Sequence, residues 1–384
     1  MKLSIRALSV AFAVSLPFSC SAQDCNEDIY VASQDELDNV IGDCTIINGR
    51  LFINDTYSGS LILNGVTNIT NSLSVAGPDA AVPSADIASI ELPDLQHITS
   101  IDLEGSSVTS FSAPRLTSVS RLWLDQPARG SEVDLRSVVG ADAVTLRGNH
   151  SSINLESLEA VVDNLIICSH PGCFDGFGDD STPDALNLTL SSLSSVRFLD
   201  IAARTSSVSM PNLARTNNSQ GSTDMSIRLL ETPGSITLPK VDYLDGRITM
   251  TGTISEIDLS SLHSADGQLT IETQNSLNIN FPITRVDYLG FRGAIEGVDL
   301  PNLEYFEELD INSTRSLDCS PLEDQFGALE AEIEGENSGA SATFNCRSAS
   351  ADGGSGSGLS TAARPTIGGV VSVVATTMVL GLVI

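Results

Sequence analysis

Six of the seven cysteines fall in three close pairs: Cys25 with Cys44, Cys168 with Cys173, and Cys319 with Cys346. Thiols at such spacing either oxidise to disulfides or ligate a metal. The seventh, Cys20, lies in an apolar leader expected to be removed. That leaves an even number, which in an exported chain points to disulfides. Connectivity stays open at this level. Local pairing is the expectation, because the first and last pairs bracket the two ends of the folded region. Zinc is disfavoured, since Cys168 and Cys173 have no accompanying pair of histidines. No metal and no cofactor is expected.

A second chemistry is glycan transfer to asparagine. Asn-x-Ser/Thr sequons stand at Asn54, Asn68, Asn149, Asn187, Asn217 and Asn312, and each is expected to be an exposed acceptor. The third is acid–base work by paired carboxylates. His97, His150, His170 and His263 form no metal-spaced pair and lie beside no nucleophile, so each is expected at the surface or in a turn. Asp175, Asp179 and Asp180 carry oxygen ligands but lack a recognisable calcium spacing.

These residues hang on a repeat. Apolar–polar–apolar phrases recur about every 21 residues: Ile90-Glu91-Leu92, Phe111-Ser112-Ala113, Val133-Asp134-Leu135, Ile153-Asn154-Leu155, and onward to Val298-Asp299-Leu300. A second phrase follows in most units, such as Ile101-Asp102-Leu103, Leu122-Trp123-Leu124 and Leu199-Asp200-Ile201. This is the period-2 signature of strands with one face buried. Proline often follows the first phrase, as in Leu92-Pro93 and Leu300-Pro301, and marks the strand's end. Two longer gaps hold the Cys168–Cys173 segment with the acidic loop 175–184, and the polar segment 216–223. Short units that cannot bury their apolar residues alone must stack. The expected fold is therefore all-β: a right-handed β-helix or leucine-rich-repeat-like solenoid with short helical caps. A strict leucine-rich repeat wants Asn after the second phrase, where this chain has Ser106, Pro127, Asn149 and Arg204. Ser33-Gln34-Asp35-Glu36 reads as a capping box opening a helix to Ile41. The segment 320–334 reads as the other cap.

In such a stack the centres of the first phrases form one column, with turns about 4.8 Å apart. Glu91 and Asp134 then sit two turns apart, as do Asp258 and Asp299, at the outer limit for an inverting glycosidase. Asp102 and Asp200 lie about four turns apart, which is too far. A solvated polar ladder is the expectation, with no catalytic residue. Trp123, the single tryptophan, is expected to point outward.

The ends carry targeting features. Lys2 and Arg6, the apolar run 7–18 and Cys20-Ser21-Ala22 read as a signal peptide over residues 1–22. The ectodomain is expected over 23–346 and a flexible tether over 347–358. Segment 359–384, a polar spacer before an uncharged tail, reads as a glycosylphosphatidylinositol (GPI) signal, with Gly354, Ser355, Gly356 and Ser357 as attachment candidates. An ordinary membrane span is the competing reading of the tail. The net charge of −30 repels nucleic acid and anionic head groups.

Cys25 and Cys44, the phrase Cys44-Thr45-Ile46-Ile47-Asn48-Gly49, the Leu-Pro-x-Leu units, Cys319 and Cys346, and the tail together give a resemblance. The chain resembles the fungal GPI-anchored cell-wall proteins of the extracellular-mutant and sporulation-specific family, whose fold is similar to receptor L-domains. The Cys168–Cys173 insertion departs from that pattern. The resemblance implies a non-enzymatic surface glycoprotein acting in wall organisation, integrity and morphogenesis, at the outer leaflet or in the wall. Wall glucan and the anchor lipid are the expected partners. An adhesin or receptor ectodomain is the alternative, and a β-helix glycan hydrolase comes third. Oligomeric state is not legible.

Overall fold

The computed structural model describes residues 25–76, 86–103, 108–170, 185–214, 223–336 and 341–349. Within them the apolar residues of each phrase turn inward, as alternation along a pleated strand requires. Ile90 and Leu92, Phe111 and Ala113, Val133 and Leu135, and Ile153 and Leu155 are all essentially buried. Successive first phrases pair in parallel: Glu91 lies opposite Ser112, Ser112 opposite Asp134, Asp134 opposite Asn154 and Asn154 opposite Thr189. The second phrases form a longer ladder. Its central outward column begins with Tyr30, Phe52, Ser74, Asp102, Trp123, Thr145, Ile166 and Asp200. It continues through Ser226, Thr249, Thr270, Gly290 and Asp310 to Asn345. A chain that returns every turn to pair in parallel with the turn before it is a β-solenoid, as expected from the repeat.

The Leu-Pro units have a defined job. The amide of Leu95 donates to the Leu92 carbonyl (3.4 Å), and the same bond joins Leu213 to Met210, Val241 to Leu238 and Leu303 to Leu300. Each is a β-turn with proline at its second position, where the ring pre-sets the backbone angle the turn needs. Proline therefore makes the turn rather than merely stopping the strand. Both flanking aliphatic residues still point into the core. Beyond the turn the corner carries its own ladder: Thr117 N donates to Gln96 O, Val139 N to Thr117 O, Glu159 N to Val139 O and Ser194 N to Glu159 O. The hydroxyls of Thr117 and Ser194 add second bonds to the same carbonyls.

The opposite corner is built from small residues. One column there reads Ser169, Ala203, Leu229, Gly252, Thr273, Gly293, Ser313. The Thr273 hydroxyl donates to Ile254 O (2.7 Å) and accepts from Asn275 N (3.1 Å). Ser313 does the same for Ile295 O and Arg315 N. Alternating with them in the same column, Gly252 and Gly293 adopt φ of +105° and +92°. A Cβ at either would collide with the carbonyl of the residue on the preceding turn, Leu229 or Thr273. Buried hydroxyls and glycine thus take the role that a row of asparagines plays in a strict leucine-rich repeat.

Both ends are capped. The first helix, α1 (Gln34–Ile41), starts at Ser33, whose hydroxyl accepts from Glu36 N (3.2 Å). It ends at Gly42, whose φ is +49°. Its Leu37 and Ile41 enter the core. The Gln34 amide reaches strand Ser58–Ile62 and both donates to Ile62 O and accepts from Ile62 N, at 2.8 Å each. A side chain thereby supplies the bonds that a neighbouring strand would have made. Tyr57 closes the same corner, donating to Ser60 O (3.0 Å). Burial, and then the nearby Asp38 charge, push its phenol up to about 12. At the other end α2 (Ser320–Glu336) drops Phe326 onto Phe344 of the final strand Thr343–Ser348, with ring centres 5.5 Å apart.

Candidate functional site

The carboxylate column has a local explanation. Asp134, Asn154 and Asp258 each sit at the centre of a first phrase and are the last residue of a strand. Their Oδ1 atoms accept from the amide two residues on, in Arg136, Glu156 and Ser260. These are Asx turns leading into the bend, so short acceptor side chains recur there for structural reasons. Asp134 is in addition held by the Arg136 guanidinium, with Nε 2.9 Å from Oδ1. Glu91 and Asp134 are two rungs apart, as the repeat required, but both carboxylate oxygens of the second are taken up by this fork. The four-rung separation of Asp102 and Asp200 also holds.

A cluster that the phrases alone did not single out surrounds Trp123. Asp125, next but one along the strand, faces outward by alternation yet is only 6% exposed. Burial raises its carboxyl above the ordinary range. The Trp123 indole and the Arg147 charge pull it down, and Asp102 pushes it up. The indole N–H lies near this carboxylate without reaching hydrogen-bond geometry, and both Trp123 Nε1 and Asp125 Oδ1 are buried without a hydrogen-bond partner. Arg147 stacks on the indole ring at 5.4 Å. A raised carboxyl beside a second carboxylate and a tryptophan has the composition of a glycosidase site. Its geometry does not follow, because Asp125 is closed to a substrate oxygen and one ring face carries Arg147. Trp123 is half-buried rather than freely presented.

The histidines divide. His97 and His263 are exposed and His170 is half-buried. His150 corrects the expectation of a surface position, being fully buried. Its Nδ1 lies 2.8 Å from Ser131 Oγ, and its backbone amide donates to Ser169 Oγ (3.1 Å). Burial lowers its pKa to about 4, against an opposing pull from the Arg147 backbone. Ser131 and Ser169 are also fully buried, so this Ser–His–Ser arrangement fastens three turns and presents no nucleophile. The reason the sequence misled is local: the register shifts at Gly148, Asn149 and His150 turn that stretch inward.

The sequons divide likewise. Asn54, Asn187 and Asn312 are exposed and Asn68 is half-buried. Asn149 was expected at the surface but is 8% exposed, drawn in by the same shifts. Asn217 lies outside the described residues. Cys25 is bonded to Cys44 and Cys319 to Cys346, with Cα atoms 6.3 and 5.9 Å apart. Cys168 is disulfide-bonded, while Cys173 lies outside the described residues. So do the signal segment, the loop with Asp175, Asp179 and Asp180, and Gly354, Ser355, Gly356 and Ser357. Among the described residues no helix is long and apolar enough to cross a membrane, and no group of His, Cys, Asp or Glu is arranged to hold a metal.

An open groove of about 620 Å³ runs across one side of several turns. It crosses successive rungs at Asn68, His97, Ser118, Gly140 and Ala160. Thr70, Thr99, Ser120, Asp142 and the 64%-exposed Val162 form its other wall. His97 is exposed, and its Nδ1 is engaged by Ser118 Oγ (3.0 Å).

These features define a parallel β-solenoid, capped at both ends, whose outward columns serve turns and ion pairs more than any reacting centre. No family model matches the chain, and no solved structure matches it. Among curated proteins it is similar to Protein ecm33 of Aspergillus fumigatus, with 26% identity over 298 residues, covering 76% of this chain and 67% of that protein. The likeness bears out the resemblance read from the cysteines and Leu-Pro units: it supports an Ecm33-like fungal cell-wall protein.

Proposed function

We propose that the protein is a non-enzymatic, GPI-anchored surface glycoprotein that supports organisation, integrity and morphogenesis of a fungal cell wall. One observation carries this reading: the similarity to Protein ecm33 extends along 298 residues, 76% of the chain, rather than over a short motif. The chemistry agrees with it. Asp134 is tied to Arg136 and Asp125 is buried, so the best carboxylate candidates serve the scaffold. The uncharged tail and the small residues before it supply the anchor, and wall glucan is the neighbouring polymer. Deletion of the gene should sensitise cells to wall-binding dyes and osmotic stress, with rescue by the full chain but not by one lacking residues 359–384. Unchanged growth under both stresses refutes the wall role. Release of the protein from protoplasts by a phosphatidylinositol-specific phospholipase tests the anchor separately. The groove favours a second reading, an adhesin or receptor ectodomain. Binding of the ectodomain to a glycan array or to a surface protein would support it.

A further inference from the structure

We propose that the groove along residues 68–162 is the seat of the protein's own N-linked oligosaccharide, attached at Asn68. The inference rests on the glycoprotein reading above and adds where one glycan goes. Three of the described sequons, Asn54, Asn187 and Asn312, stand on exposed strand positions. Asn68 differs, because it is half-buried and both it and Thr70 of its own sequon line the groove. A sugar joined to Asn68 Nδ2 therefore starts inside the concavity. From Asn68 the groove passes His97, Ser118 and Gly140 to Ala160. Four rung steps of about 4.8 Å give a track of about 19 Å, long enough for several pyranose rings.

The lining suits a sugar chain. Pyranoses are amphipathic, with a C–H face and an edge of hydroxyls. The groove offers apolar surface from Gly140, Ala160 and the exposed Val162, and polar groups from Thr99, Ser118, Ser120 and the exposed His97 ring. Its volume falls in the range of sites that bury small ligands. Tethering at Asn68 raises the local concentration of the sugar, so even weak contacts hold it in place. Seated there, the oligosaccharide covers the exposed Val162 at the far end of the groove and shields those turns from proteases.

The test uses the full chain secreted from a fungal host. Native protein is treated with an amidase that cuts glycans from asparagine, in heavy-oxygen water, and each site is followed by mass spectrometry. Release at Asn68 should be at least about tenfold slower than at Asn54, Asn187 and Asn312, a protection of about 1.4 kcal/mol. The difference should vanish after unfolding. Ser120→Trp, at an exposed groove position, should bring Asn68 up to the rate of the others while leaving the melting temperature near that of the wild type. Equal release at all four sites in the native wild type overturns the proposal, as does sugar at the other sites with none at Asn68. Sugar at no site overturns both this inference and the glycoprotein reading.

Discussion

His150 shows how one residue's surroundings set its chemistry. Its neutral form is favoured in the folded state, where the pKa is about 4, against 6.5 ordinarily. Between those values the unfolded chain takes up the proton first. Stability contributed by this site is therefore complete above pH 6.5, declines as pH falls toward 4, and is gone below. The loss is on the order of 3 kcal/mol. NMR of the imidazole should show no protonation until near pH 4, and a transition near 6.5 would contradict the buried position. Asn149, its neighbour, shares the enclosure. A branched sugar cannot be accommodated at a position 8% exposed, so peptide mapping of folded, secreted protein should find Asn149 unmodified.

The corners are the most exacting elements. Two of their positions tolerate nothing larger than glycine. Gly252→Ala or Gly293→Ala brings a methyl group against a carbonyl on the preceding turn and forces an unfavourable φ. Each should cost about 2–4 kcal/mol, read from the urea midpoint. Thr273→Val keeps the shape but strands the Ile254 carbonyl and the Asn275 amide, at a cost of about 1–3 kcal/mol. By contrast the ion pairs between rungs, such as Arg115 with Asp94 and Arg197 with Asp163, are well exposed. Their removal should move the midpoint little.

For the whole solenoid, stability is a sum over turns and their interfaces, so the ends matter most. The Cys319–Cys346 bond ties the start of α2 to the last strand, where Phe326 covers Phe344. Replacing both cysteines by serine should cost about 3 kcal/mol in the chain-entropy picture. Hydrogen exchange should then rise first in Thr343–Ser348 and Tyr305–Ser313, and later in the interior turns. Simultaneous loosening of every turn would argue against a stack of semi-independent units. The net charge of −30 disfavours close approach of two copies at low salt.

The repeat, the inward residues, both helical caps and the terminal cysteine pairs were legible in the linear chain. Each is a local or periodic signal: alternation gives the strand, proline two residues before an aliphatic gives the turn, and a serine before Glu36 gives the helix start. The chain also carried Asp134 and Asp258 in plain view, though not their work as turn caps, because that depends on the backbone bending back toward its own side chain. The burial of Asp125 and His150, the enclosure of Asn149 and the groove beside Asn68 were invisible in one dimension. Those at His150, Asn149 and the groove arise where the register shifts between turns, since a shift of one residue exchanges inside for outside, whereas Asp125 keeps its register and is hidden by its neighbours. Phrase length determined that the chain stacks; only the packed turns decided which polar groups the stack would hide.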